Sequence, residues 1–257
     1  MIKIGPAGIG SVKDVEKNFE EFHRLGIKCA EIPFTYGVFI KTKEQAEKVH
    51  RAAEKFKIEL TIHGQYWINL NSAEREKIEA SKQRILECLK VGTWLDAKAV
   101  VFHSGFYGKK TKGKTFEKIK EGIRELQEKR KEFGYTPKLA PETMGKINVF
   151  GSISEIARLV EETGCEFCID FAHILARYKT YNFEKIKEKF GKYPSWHCHF
   201  SGIEYGEKGE KKHLRTEERY WEKLFERLPK DKKIRIVCES PNPLADAVQG
   251  IEILKNK

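Results

Sequence analysis

The chain has 257 residues, 40% of them hydrophobic and 11% aromatic. That is enough apolar mass for a large core, which excludes an intrinsically disordered chain, and no run reaches the roughly 20 apolar residues of a membrane span. A formal net charge of +11 suits an anionic partner such as nucleic acid. It equally suits the lysine- and glutamate-rich surface networks of heat-stable proteins, so charge alone selects no function.

Met1-Ile2-Lys3-Ile4-Gly5 runs straight into strand-like sequence with no signal-peptide pattern, so a cytoplasmic protein is expected. From there one unit recurs: a short apolar run, a loop with Gly or Pro, then an amphipathic charged stretch. The apolar runs are Ile2 to Ile4, Cys29 to Ile32, Glu59 to Ile62, Ala99 to Phe102, Pro137 to Ala140, Phe167 to Ile169, Ser195 to Phe200 and Ile234 to Cys238. Between them, Val12 to Leu25, Lys43 to Phe56, Ala73 to Leu95, Lys114 to Phe133, Ser152 to Thr163, Asn182 to Phe190 and Glu217 to Leu228 place apolar residues at helical spacing. Ser152-Ile153-Ser154-Glu155 has the form of a capped helix start. The stretch Tyr205 to Lys212, rich in Lys, Gly and Glu, is expected to be a long mobile loop after the seventh strand.

Strands alternating with helices imply a parallel sheet, and eight such units in this length predict a single α/β domain over residues 1–257, a (β/α)8 barrel. Gly5-Pro6-Ala7-Gly8-Ile9-Gly10 lacks the spacing of a dinucleotide-binding loop. The six cysteines are scattered, and Cys165-Glu166-Phe167-Cys168 is a lone CxxC leading into a strand. They read as small buried hydrophobes, not as a zinc ribbon or a redox pair.

The polar residues carry the functional signal. His63 ends the third run and His103 the fourth; Glu142 follows the fifth; Asp170 ends the sixth, with His173 three residues on; His197 and His199 close the seventh; Glu239 closes the eighth. In a barrel all these ends face one mouth. Each residue alone has a bland structural explanation, but so many nitrogen and oxygen donors at one mouth point to divalent metal, since buried charge must be paired or metal-bound. Imidazole with carboxylate suits zinc first, with manganese or magnesium as alternatives. A carboxylate such as Glu142 is able to bridge two ions in a centre that hydrolyses a phosphodiester. His197 and His199 alternate on a strand, so one can ligate while the other supports it by a hydrogen bond.

At these residues the sequence resembles the endonuclease IV family of apurinic/apyrimidinic endonucleases, within the xylose-isomerase-like barrels. Thr61 to Leu70 is similar to its H-x-P-Y-x-x-N-L, Phe102-His103-Ser104-Gly105 to H-P-G, and Glu142-Thr143-Met144-Gly145 to E-N/T-x-x-G. Ile169 to His173 matches D-x-x-H, while His199-Phe200-Ser201-Gly202 and Glu239-Ser240-Pro241 stand for H-x-N-D and E-T-P. The resemblance implies two or three zinc ions: one held by His63, His103 and Glu142, a second by Glu142, Asp170, His199 and Glu239, a third by His173 and His213. Glu142 and Glu239 are then the candidate catalytic carboxylates. The family completes the third site with the Asp of a D-x-H pair, here Lys211-Lys212-His213. Lys211 cannot ligate while protonated, so Glu210 or Glu207 replaces it or the site is weak, and Lys211 becomes a candidate substrate contact. Tyr66 stands where the family places an aromatic near DNA. The family's N-P-R is replaced by Ile32-Pro33-Phe34-Thr35-Tyr36-Gly37, where Phe34 or Tyr36 would wedge into the base stack or else pack. The function implied is zinc-dependent cleavage of DNA 5′ to abasic sites by a monomer; the alternative is a sugar isomerase or epimerase using one divalent ion.

Overall fold

In the computed structural model, which describes residues 1–257, the apolar runs are the staves of a closed parallel barrel. These are β1 (Ile2–Pro6), β2 (Cys29–Pro33), β3 (Glu59–His63), β4 (Ala99–Phe102), β5 (Lys138–Pro141), β6 (Cys168–Asp170), β7 (Ser195–Phe200) and, after a hairpin, β10 (Lys233–Cys238). They pair as two arcs, β1-β10-β7-β6 and β2-β3-β4-β5. Single parallel bridges, Ala7 with Glu31 and Glu142 with Cys168, join the arcs at both seams. At the first seam Gly5 is required: a Cβ there would lie 1.6 Å from the Cys29 carbonyl oxygen.

Helices α1 (Val15–Arg24), α2 (Lys43–Phe56), α3 (Arg75–Trp94), α4 (Lys112–Glu132) and α5 (Ile153–Thr163) agree with the periodicity to within a few residues. Ser152 caps α5 as its sequence predicts, in a reciprocal pair with Glu155. Helices α6 (Phe171–Tyr178), α7 (Phe183–Phe190), α8 (Glu218–Arg227) and α9 (Pro243–Lys255) complete the outer layer. Of these, α6 and α9 escape the pattern. Helix α6 is only eight residues long and starts at Phe171 directly from the end of β6, so its two turns merge with the strand that precedes them.

The stretch expected to be a mobile loop is instead an antiparallel hairpin, β8 (Gly202–Gly206) with β9 (Gly209–Leu214). Its pairing comes from backbone groups, which a charged composition does not betray. The hairpin is clamped down. Gly209, with φ +95°, lies so close to the Gly145 carbonyl that a Cβ would come within 2.2 Å of it. Lys179 binds the Gly206 carbonyl, and its ammonium sits 4.6 Å from the Tyr205 ring centre. The six cysteines are all buried and free. No helix is long and apolar enough to cross a membrane.

Candidate metal centre

Strand ends deliver the predicted donors to one mouth, and Glu142 stands at their centre. Its carboxylate is fully buried. Oε1 lies 2.8 Å from His199 Nδ1 and 3.5 Å from His173 Nδ1; Oε2 lies 2.9 Å from His103 Nε2 and 3.5 Å from His63 Nε2. Four overlapping sets bring ligand atoms within 4.8 Å of one another: three around the mouth, namely His63, Glu142 and His199, then Glu142, Asp170, His199 and Glu239, then Asp170, His173 and His213; and one deeper in the barrel, Cys168, His197 and His199.

The orientation of each ring follows from what holds its outer nitrogen. His63 Nδ1 donates to its neighbour's carbonyl, Gly64 O, at 2.8 Å, and His173 Nδ1 donates to Thr143 O at 3.0 Å. Ser201 gives its own proton to Gly202 O, so it accepts from His213 Nδ1 at 2.7 Å. These tautomers turn Nε2 of His63, His173 and His213 into the mouth as lone-pair donors. Asp170 is divided in the same way. Its Oδ1 caps α6, accepting from the His173 amide at 2.7 Å, and its Oδ2 is buried with no hydrogen bond. Glu142 Oε2 also accepts none, because the nearby imidazoles meet it off the hydrogen-bonding direction.

Buried carboxylate oxygens without partners are costly, and a divalent cation among them, His63, His103 and His173 removes that cost. The donor set therefore fits a metal centre. Without a cation the imidazoles balance the carboxylates. Burial lowers the pKa of His63, but the close contact and charge of Glu142 outweigh it and lift it to about 9. For His173, burial is outweighed by Asp170 and Glu142, again giving about 9. Burial would raise Glu142, yet the charge of His199, its bond to Oε1 and the close approach of the His103 and His63 rings hold it well below the usual carboxylate range. Asp170, dominated by burial, rises to about 7.

Sequence and structure part company at the third set. Lys211 points away, pairing with Glu204 at 3.3 Å, and it does not line the cavity. A β-bulge explains why: Glu204 pairs with Lys212 and Tyr205 with Glu210, so Lys211 is the extra residue. The bulge brings Glu210 onto the face that carries His213, and Glu210 Oε2 lies 3.4 Å from His173 Nε2. Phe34 is buried and packs edge-on against Phe39, so it is no wedge. Tyr36 is 80% exposed and sits against Tyr66 and Trp67 in an aromatic ridge at the rim. Tyr66 itself lines the cavity, of about 420 Å³, together with His63, His103, His173, His213, Glu239 and the lysine Lys146, while Glu142, Asp170 and His199 lie behind its wall.

Sequence reasoning missed Lys146, which nothing in a loop marks, and Glu31, which something does. Glu31 is a charged residue inside the apolar run Cys29–Pro33, fully buried beneath the centre.

Fold and site together define a class: a parallel (β/α)8 barrel whose strand ends carry a buried carboxylate–imidazole centre suited to divalent metal. Residues 19–257 match the family described as xylose isomerase-like TIM barrel, and the chain belongs to that family. An uncharacterized protein of Methanocaldococcus jannaschii is 35% identical over 263 residues, covering 96% of this chain and 95% of that protein. A probable endonuclease 4 of Thermoplasma volcanium is 31% identical over 118 residues, 45% of this chain and 40% of that protein. Among solved structures, 3-keto-D-glucoside 4-epimerase from E. coli superposes with a TM-score of 0.72 over 100% of both chains at 13% identity, a likeness of fold.

Proposed function

We propose that the protein is a divalent-metal phosphodiester hydrolase of the endonuclease IV kind, zinc being the first choice of metal, which cuts DNA 5′ to abasic sites. The observation that carries this reading is the surplus of ligands. Glu142, Asp170, His199 and Glu239 suffice for one cation, yet His63 and His103 flank the far oxygen of Glu142, and His173, His213 and Glu210 converge on its other side. A single-metal site does not need these donors as ligands. Bound there, two or three cations would supply Lewis acidity: a water made nucleophilic near neutral pH and neutralisation of charge on the phosphate in flight. Glu142, fully buried between the sets, would be shared by two cations, and Glu239 would close the second set from the rim. Lys146, the one lysine or arginine lining the cavity, would assist a departing alkoxide. Tyr36, Tyr66 and Trp67 offer faces on which an exposed base can stack.

Duplex DNA with a tetrahydrofuran abasic analogue tests this. Zinc-loaded protein should nick it 5′ to the analogue, with activity lost in His63→Ala and Glu142→Ala. Intact substrate after prolonged incubation with loaded protein sinks the reading.

One observation favours a second reading. The set Glu142, Asp170, His199 and Glu239 is complete by itself, and a sugar epimerase shares the fold along its whole length. An isomerase or epimerase would purify with a single cation per chain; the hydrolase should carry two or three.

A further inference from the structure

Beneath the mouth, a line of polar residues runs down the barrel interior. Arg235 of β10 stands beside His197 of β7 in parallel register, and its Nη1 is 3.2 Å from His197 Nδ1. Guanidinium only donates, so His197 Nδ1 must accept and the ring's proton must be on Nε2. That Nε2 donates to Glu31 Oε2 at 3.1 Å. Thr61 Oγ1 donates to the same oxygen at 2.8 Å. The other oxygen, Oε1, lies 2.9 Å from His199 Nε2, a bent contact that is an ion pair more than a hydrogen bond. Arg235 is anchored from below by Glu59.

We infer that Arg235, His197 and Glu31 form a positioning relay that keeps a proton on His199 Nε2 and presents Nδ1 to the metal centre. The inference builds on the metal-site reading and names residues that reading does not use. None of the three is a candidate ligand in the sets around Glu142, and each interrupts an apolar strand. Buried ionic groups stabilise a fold poorly compared with apolar residues of similar volume, so the barrel core has no need of them for its own sake. What lies directly above is His199, whose Nδ1 faces Glu142 at 2.8 Å and Glu239 at 3.4 Å. A lone pair aimed at two carboxylates is stable only with a cation between them. Glu31 settles which nitrogen keeps its proton when that cation binds, because it is the carboxylate that faces Nε2.

The test uses Glu31→Gln in the full chain, with zinc affinity measured by chelator competition and imidazole tautomers read by long-range ¹H–¹⁵N NMR of zinc-loaded protein. The amide is neutral and a weaker acceptor, so affinity for one cation should fall about 10- to 100-fold while the remainder bind as before. In the wild type, His197 should carry its proton on Nε2, and His199 should be protonated on Nε2 and metal-bound through Nδ1. Unchanged affinity in Glu31→Gln, beside a wild type that binds zinc tightly, overturns the relay alone. A wild type that takes up no divalent cation overturns the metal-site reading instead. Should Glu31→Gln fail to fold, the wild-type spectrum decides, and a His197 ring protonated on Nδ1 is then fatal to the relay.

Discussion

Three imidazoles and one carboxylate of the candidate site each offer the mouth a single atom, and the fold decides which. His63, His173 and His213 are fixed by Gly64 O, Thr143 O and Ser201 Oγ, so that Nε2 faces the mouth. Asp170 spends Oδ1 on a helix cap and keeps Oδ2. Such anchoring makes the sets separable. His63 belongs to the set on the Oε2 side of Glu142 and makes no contact with Glu210 or His213. His63→Ala is therefore expected to lose one cation of the full complement and keep the others, by elemental analysis of protein purified in zinc. Loss of all metal in that variant would mean that the sets fill as one unit. Truncating a buried ring of this size also leaves a void, at about 1–3 kcal/mol by analogy with core deletions, so a thermal melt should accompany the count.

At the scale of elements, the β8–β9 hairpin carries the residues, Glu210 and His213, on which the proposed third cation would depend. Its bulge at Lys211 sends Glu210 over Gly145, where a Cβ would lie 2.8 Å from Glu210 Cβ and 2.9 Å from its Oε2. Gly145→Ala should push Glu210 away from His173 and lower the metal count by one, with His63 and His103 undisturbed. A full count in Gly145→Ala would show that Glu210 does not hold metal. The hairpin is also where the sequence was least legible. The barrel strands declared themselves because each is an apolar run buried on both faces, and the ligands because they end those runs. A bulge leaves no such trace: Lys211 and His213 keep the spacing of a two-residue motif, so direct matching puts lysine where the third carboxylate belongs. Only the pairing of Tyr205 with Glu210 reveals the slip. Helix α6 was hidden for a different reason, being two turns that run on without a break from β6. Glu31 and Arg235 were legible as charges in apolar strands, but their partners lie across the barrel and far away in sequence.

For the molecule as a whole, so many coupled charges in one mouth tie stability to pH and metal together. In the metal-free chain His63 and His173 sit at about 9, above the ordinary 6.5. The stabilisation they contribute is complete below about 6.5 and disappears as pH rises through 9. Asp170 works in the same sense: with its carboxyl lifted to about 7 by burial, ionising it costs folded stability as pH climbs from about 4 to 7. Glu239, held near 2 by His199 against the pull of burial, contributes stability above its ordinary range that is lost as pH falls toward 2. Chelated protein should thus be most stable near pH 5 and lose several kcal/mol of stability by pH 9, because all three shifts act in the same direction. Bound zinc should reverse the alkaline limb, because cations compete with the same protons and bind more tightly as these leave. Melting curves with and without zinc should accordingly diverge as pH rises from 5 to 9, and binding near pH 7 should release protons into the buffer. Calorimetry in two buffers of different ionisation enthalpy measures that release. A chelated protein whose melting temperature stays level or climbs between pH 6 and 9 would show that the imidazoles are not balancing the carboxylates, and that this mouth is not poised to exchange protons for metal.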